Sequence, residues 1–270
     1  MLIQVRMIDR SIGNRFASRH VAESYLFRPP HSPEVYSVLE SLIAPKTRTV
    51  LDAGCGPGKL TLGLVDHVDR IDAVDPSAEM LRVARSLPKG ASPKIRWIRG
   101  KMEEAPLEPP YGLIMAALSI HWMDLDRVFP RFSGALAEGA FLALLNCDAP
   151  VGSPWEREEL LFAADFIGKI YGRRLEPAKT TLERIEESIL VHPGFEPIGH
   201  KITAPFQVSQ SIADYLRCQH SRVAWTEEHL GPEAAREFDA GMTALLSRYT
   251  VAGLLKFAVR TRIEWGRIRA

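Results

Sequence analysis

Near residue 50 a short apolar run stops on an acid and enters three alternating glycines: Thr49-Val50-Leu51-Asp52-Ala53-Gly54-Cys55-Gly56-Pro57-Gly58. No other stretch constrains the fold as tightly. The run reads as a buried strand, and 59–68 reads as the helix that follows it, so the chain must reverse within a few residues. A Cβ at Gly54 or Gly56 would block a ligand lying against this turn or forbid its dihedrals. The helix after the turn would offer that ligand free N–H groups and a positive dipole end.

The same alternation continues downstream. Ile71-Asp72-Ala73-Val74-Asp75 reads as a second strand, Ile95-Arg96-Trp97-Ile98 as a third, Gly112-Leu113-Ile114-Met115-Ala116-Ala117 as a fourth and 139–146 as a fifth. Helical spacing is expected over 77–87 and 125–137. Strands that are apolar throughout fit a parallel sheet covered on both faces. The order predicts an α/β fold, a Rossmann-like doubly wound sheet. Upstream, Ser32-Pro33-Glu34 predicts a clean helix start, with Val35, Val38, Leu39, Leu42 and Ile43 on one face. Past Pro150 the alternation breaks. The stretch 155–171 predicts a helix with Leu160, Leu161, Ala164, Ile167 and Tyr171 on its apolar side, and 181–191 predicts another. Residues 195–208 read as extended, and 211–222 and 227–249 as helices. Residues 254–268 read as one long strand, its alternation placing it on an antiparallel edge.

The chain has 270 residues, of which 46% are apolar and 25% charged, enough for one large α/β domain with an insertion. With 34 basic and 33 acidic side chains it lacks the basic excess of a protein that grips a nucleic-acid backbone, and a small-molecule partner fits better. Three cysteines, at 55, 147 and 218, form neither a disulfide framework nor a metal-binding pair, and the scattered histidines give no ligand spacing, so no metal is expected. No segment has the apolar length of a signal peptide or membrane span. The expected compartment is the cytoplasm, with no membrane partner.

Charge narrows the ligand of the glycine loop. Asp75 lies 17 positions after Gly58 at the end of the second strand, where a carboxylate meets a ribose. Loop and acid together point to an adenosine-containing ligand. The loop reads GxGxG, with Lys59 where a dinucleotide loop has its third glycine, and Asp52 precedes it directly. That carboxylate would repel a pyrophosphate and attract the sulfonium and ammonium of S-adenosylmethionine (SAM). A dinucleotide and a purely structural turn are the competing readings.

The segment 50–58 resembles motif I of class I SAM-dependent methyltransferases, and Asp72-Ala73-Val74-Asp75-Pro76-Ser77-Ala78-Glu79-Met80-Leu81 resembles their second motif. Arg15-Phe16-Ala17, Tyr25-Leu26-Phe27-Arg28-Pro29-Pro30, Leu118-Ser119-Ile120-His121-Trp122 and Thr261-Arg262-Ile263-Glu264-Trp265 resemble one subfamily, the trans-aconitate-methyltransferase-like (methyltransferase type 11) enzymes. The resemblance implies a seven-stranded sheet, mostly parallel with an antiparallel last strand, a helical N-terminal lid and a helical cap. It also implies one domain: lid 1–45, cofactor-binding core 46–149, cap and substrate region 150–235, closing helix and strand 236–270. The implied cofactor is SAM, held by Tyr25, Arg28, Asp52, Ala53, Gly54, Cys55, Gly56, Gly58, Asp75, Pro76, Met80, Lys101, Met102, Glu103 and Leu118. Two positions depart from the pattern. Lys101 stands where the family has an Asp for the adenine amine, which leaves backbone groups or Met102 to make that contact. Tyr111 replaces the usual Asp before the fourth strand.

Methyl transfer from a sulfonium needs alignment and a dry site, and needs a base only when the acceptor arrives protonated. His121, after the fourth strand, is the candidate base. His121, Trp122 and Trp155 are the candidate substrate wall. The expected activity is SAM-dependent methylation of a small molecule, most simply O-methylation of a carboxylate or hydroxyl. The alternatives are a methyltransferase acting on RNA or protein, and a non-catalytic SAM-binding protein.

Overall fold

The computed structural model describes residues 16–146, 150–172 and 189–269. Its larger sheet has seven strands. β1 (Thr49–Ala53) pairs in parallel with β2 (Arg70–Asp75) and β4 (Tyr111–Ala117). β3 (Ile95–Arg99) joins β2, and β5 (Leu136–Asn146) joins β4, both in parallel. β10 (Arg262–Ile268) runs antiparallel beside β5, and β7 (Phe195–Ile202) closes the edge antiparallel to β10. The order is β3-β2-β1-β4-β5-β10-β7, so it reverses between β1 and β4. In open α/β sheets the crevice beyond the carboxyl ends of such a strand pair is where ligands bind.

The central strands β1, β2 and β4 are buried on both faces, as their apolar runs require, while the edge strand β7 is largely exposed. In β1 and β4, Val50, Leu113 and Met115 face α2 (Pro33–Leu42) and α3 (Lys59–Leu64), packing with Leu39, Leu60 and Leu64. The intervening Leu51, Ile114 and Ala116 meet Val128, Phe129 and Phe132 of α5 (Leu125–Ala135). Tyr111, at the start of β4, is buried and donates its phenol to Asp72 Oδ2 at 2.5 Å. Arg96 reaches the same carboxylate at 3.0 and 3.2 Å. Burial and the neighbouring carboxylate push the phenol's pKa up, so it stays a donor.

A third core lies in the segment after β5. A small sheet, β6 (Pro150–Val151), β9 (Leu255–Val259) and β8 (Phe206–Gln210), packs with α6 (Glu156–Tyr171), α7 (Ile212–His220) and α9 (Pro232–Leu246) around Trp155, Phe166, Tyr215, Phe238 and Leu246. On α6 the inward face carries Phe162 and Phe166, while Leu160 and Leu161 are exposed, contrary to the expected stripe. The second sheet was also not anticipated.

Both extended stretches are divided between the two sheets. Residues 195–208 supply β7 to the first and the start of β8 to the second; residues 254–268 supply β9 to the second and β10 to the first. The two crossings are bonded together: Thr203 N–H donates to Thr261 O at 3.0 Å, and Thr261 N–H donates to Thr203 Oγ1 at 3.0 Å. The expected helix 227–249 breaks at Gly231, whose φ of 80° no L-residue adopts readily. α8 (Glu227–Leu230) precedes it, and Pro232 starts α9. Ser32 occupies the N-cap of α2 without making a side-chain capping bond. The expected helix over 181–191 falls largely outside the described residues. Among those described, no helix is long and apolar enough to cross a membrane.

Candidate functional site

The glycine loop is pinned to the second strand before it turns. Gly54 N–H and Cys55 N–H both donate to Val74 O, at 2.8 and 2.9 Å. Gly54 and Gly56 have φ of 76° and 54°. They are glycines for different reasons. A Cβ on Gly54 would stand 2.5 Å from Ser119 Cβ, so close approach of the β4 exit excludes it. A Cβ on Gly56 would meet nothing within 4 Å, so there the dihedral alone demands glycine and its backbone lies open. The positive φ at both positions meets the expected backbone demand, and at Gly54 the close neighbour is the protein's own Ser119. The following α3 is a short helix of 6 residues.

Two carboxyl groups flank this loop. Asp75 Oδ2 accepts Gly56 N–H at 2.9 Å and Oδ1 accepts Ser77 N–H at 2.8 Å, which fixes the carboxyl plane. A carboxylate has about four lone-pair sites, so capacity for two further donors remains. Burial pushes its pKa up to about 6. Asp52 is more deeply enclosed and accepts Thr61 Oγ1–H at 2.6 Å. Burial, with a smaller contribution from the charge of Asp75, pushes it up to about 7.

Two cavities meet over the loop. The larger, about 540 Å³, extends from Gly54 and Gly56 past Asp75, Pro76 and Met80 to Lys101, Met102 and Glu103. Trp122 also lines it. The smaller, about 50 Å³, holds Asp52, Cys55 and Arg28 on its walls. Tyr25, Gly54, Gly56, Ala117 and Leu118 line both and mark the junction. Leu118 has a φ of 50°, a strained backbone for a branched side chain, and follows directly on β4. Next to it Ser119 Oγ–H donates to Ala53 O at 2.6 Å, tying the β4 exit to β1.

The N-terminal segment forms the roof. In α1 (Arg19–Ser24), Val21 and Ala22 pack on Met80 and Val83 of α4 (Ala78–Ser86), which places Phe16, Ala17 and Tyr25 on the larger cavity. The Arg28 guanidinium lies 3.8 Å from the Tyr25 ring centroid and donates to its hydroxyl at 2.9 Å. At the far end Glu103 Oε1 accepts Asp124 N–H at 2.8 Å, which fixes a carboxylate beside the exposed Lys101.

Four expected contact residues line neither cavity. Ala53 contributes its carbonyl to Ser119, and Gly58 lies under the Trp97 ring. Trp155 is corrected to a core residue of the cap: its ring is buried against Tyr215, Tyr249 and Phe257, at centroid distances of 6.3, 5.8 and 6.1 Å. His121 lies in the turn Ile120–Trp122, its ring 4.8 Å from that of Trp122. Burial holds its pKa down to about 4, so it is neutral at pH 7. Sequence reasoning did not select Ser77, Ser119, Met123, Asp124 and Arg127, which also line the larger cavity. They follow directly on chosen residues or stand at the start of α5, so distance along the chain from the strand ends would have found them.

The family model described as a methyltransferase domain matches residues 50–139. An uncharacterized methyltransferase of Mycobacterium tuberculosis is 33% identical over 207 residues, 70% of this chain and 79% of that protein. Trans-aconitate 2-methyltransferase of Azoarcus sp. is 36% identical over 108 residues, 38% of this chain and 41% of that protein. Among solved structures, a putative type II methyltransferase from Anaeromyxobacter dehalogenans superposes with a TM-score of 0.63 at 21% identity, covering 89% of this chain and 97% of that one. That last likeness is one of fold.

Proposed function

Because the chain belongs to the class I SAM-dependent methyltransferases, we propose that the two joined cavities hold SAM lengthwise and that the protein O-methylates a small carboxylate. The observation that carries this reading is the pair of buried acids on either side of one glycine loop, Asp75 on the larger cavity and Asp52 on the smaller. Asp75, its plane fixed by Gly56 and Ser77, takes the ribose hydroxyls. Pro76, Met80 and Met102 enclose the adenine, and the Lys101-Met102-Glu103 stretch borders its edge. Asp52, with Arg28 and Cys55 nearby, takes the methionyl end. The sulfonium then falls at the junction beside Tyr25 and Leu118.

Bound there, SAM supplies an electrophilic methyl group that an acceptor oxygen takes by in-line displacement. The protein's share is alignment and exclusion of water. Tyr25 covers the junction from the roof, Phe16 covers the larger cavity beside it, and the strained Leu118 lines the junction from the sheet. His121 lines neither cavity, and His31 lines only the smaller one, which takes the methionyl end. With no histidine among the residues shared by both cavities, the junction favours an acceptor that arrives already ionised and needs no base. A carboxylate meets that requirement, and a phenol or alcohol does not. The chain is read as one domain, with lid 1–45, core 46–149, cap 150–235 carrying the acceptor side, and closing elements 236–270. Its buried cysteines, Cys55 and Cys218, suit a reducing compartment, and the cytoplasm is the one proposed.

Calorimetry with SAM and with S-adenosylhomocysteine (SAH) tests the assignment. Wild type should bind both, and Asp75→Ala should weaken SAH by roughly 2–4 kcal/mol through loss of two partly buried hydrogen bonds. Unchanged affinity in Asp75→Ala would remove the ribose assignment.

A further inference from the structure

The residue that holds Tyr25 over the cavity junction is itself held from the other end of the chain. Arg28 Nε donates to Ser221 Oγ at 2.8 Å, and its Nη2 donates to Ser221 O at 3.0 Å. Ser221 caps the C-terminus of α7 and is fully buried. Its hydroxyl hydrogen is committed to Cys218 O at 2.6 Å, so a lone pair of Oγ is turned to the guanidinium. With its Nε–Nη2 edge docked on Ser221, the guanidinium plane is fixed against the Tyr25 ring, and Nη1 bonds the Tyr25 hydroxyl. The anchor is firm. His220, one residue earlier, contacts Trp225 O at 2.6 Å and Asp239 of α9 at 2.8 Å. The cap touches the same segment twice more. Gln210 Nε2 donates to Phe27 O at 2.6 Å, and the Arg217 guanidinium lies 4.8 Å from the Phe27 ring centroid.

We propose that Ser221 is a positioning residue for the cofactor site, acting through the Arg28 guanidinium on Tyr25 to hold the N-terminal segment over the junction of the two cavities. The proposal rests on the reading that this junction receives SAM. It gives Arg28 a role beyond that of a cofactor ligand: the guanidinium transmits the position of the cap to the roof of the site. Any shift of α7 then moves the contact between Arg28 and Tyr25.

Two measurements decide it. In protein without cofactor, hydrogen–deuterium exchange over 16–28 should be faster in Ser221→Ala than in wild type. Equal exchange overturns the strap, whatever the cavities bind. With SAH as probe, Ser221→Ala and Tyr25→Phe should each raise the dissociation constant about 5- to 10-fold. The double variant should be no weaker than about 10-fold, because both changes cut one relay. Multiplying effects, or no effect of Ser221→Ala, overturn the positioning role. If Ser221→Ala fails to fold, Arg28→Lys repeats the exchange arm, since lysine keeps the charge and loses the fork. A wild type that does not bind SAH overturns the reading of the cavities and, with it, the cofactor role, while the exchange result still decides whether the strap exists.

Discussion

A carboxyl group sealed away from water holds its proton longer than one at the surface, and this protein buries two of them at its ligand loop. Asp52 and Asp75, pushed up to about 7 and about 6, bind protons more tightly folded than unfolded. Stability contributed by that excess is present at low pH and lost as pH rises from about 4 through 6 to 7. For Asp52 the loss amounts to roughly 4 kcal/mol, three pKa units at about 1.4 kcal/mol each. A cationic ligand reverses the balance, since it is attracted to the ionised acid. Asp52→Asn should therefore raise the melting temperature of the ligand-free protein at pH 8 and change it little at pH 5. It should also flatten the rise in SAM affinity that wild type shows between pH 5 and pH 8. Melting curves and calorimetry at the two pH values check both, and a parallel slope in the variant would detach Asp52 from the cation. His121 is the opposite case, half-buried, neutral at pH 7 and on the lining of neither cavity. His121→Ala should lower carboxylate methylation by less than about 10-fold. A loss of 100-fold or more, confined to phenols, would make it a base.

At the scale of elements, the two sheets share their connections. The chain leaves β7 for the small sheet and returns from β9 to the large one at the same point, where the Thr203 hydroxyl accepts the buried Thr261 N–H. Thr203→Val keeps the shape and leaves that N–H without its acceptor. It should cost about 1–3 kcal/mol, while Thr203→Ser stays near wild type. Urea unfolding of the two variants measures the difference, and equal stabilities would mean that the bond does not hold the crossing. This crossing also shows where sequence reading stops. β1, β2 and β4 were legible because each is a mostly apolar run whose residues are nearly all buried on both faces. The alternation of 254–268 is also real, with Phe257, Val259 and Ile263 buried. Alternation reports which face of a strand is covered and carries no information on which sheet it joins; that is decided by the contact with Thr203, 58 residues away. The site divides in the same way. Gly54, Gly56 and Asp75 were legible from backbone demands and spacing. Trp155 packs in the cap core and His121 lines neither cavity, because position after a strand or before a helix fixes a backbone and leaves the ring direction to packing.

At the scale of the molecule, three packed bodies converge on one small junction. The sheet supplies the loop and both acids, the N-terminal segment supplies Tyr25, and the cap fixes that segment from behind. Balanced charge, 34 basic against 33 acidic side chains, gives the surface no long-range pull on a polyanion. What remains is local selection at a junction where none of the five residues shared by the two cavities is a histidine, His31 lining the smaller cavity alone. An oxygen that is already anionic at pH 7 meets no proton-transfer barrier there, and one that is protonated does. Methyl-labelled SAM offered with matched carboxylic acids and phenols should therefore label the acids, with phenols at least about 100-fold slower, the usual advantage that a positioned base would otherwise supply. The product identifies itself, because a methyl ester releases labelled methanol in mild alkali and an aryl methyl ether retains its label. Alkali-stable product from the phenols, with the acids untouched, would show that the cap brings in a base of its own and would overturn the carboxylate assignment while leaving the cofactor site intact.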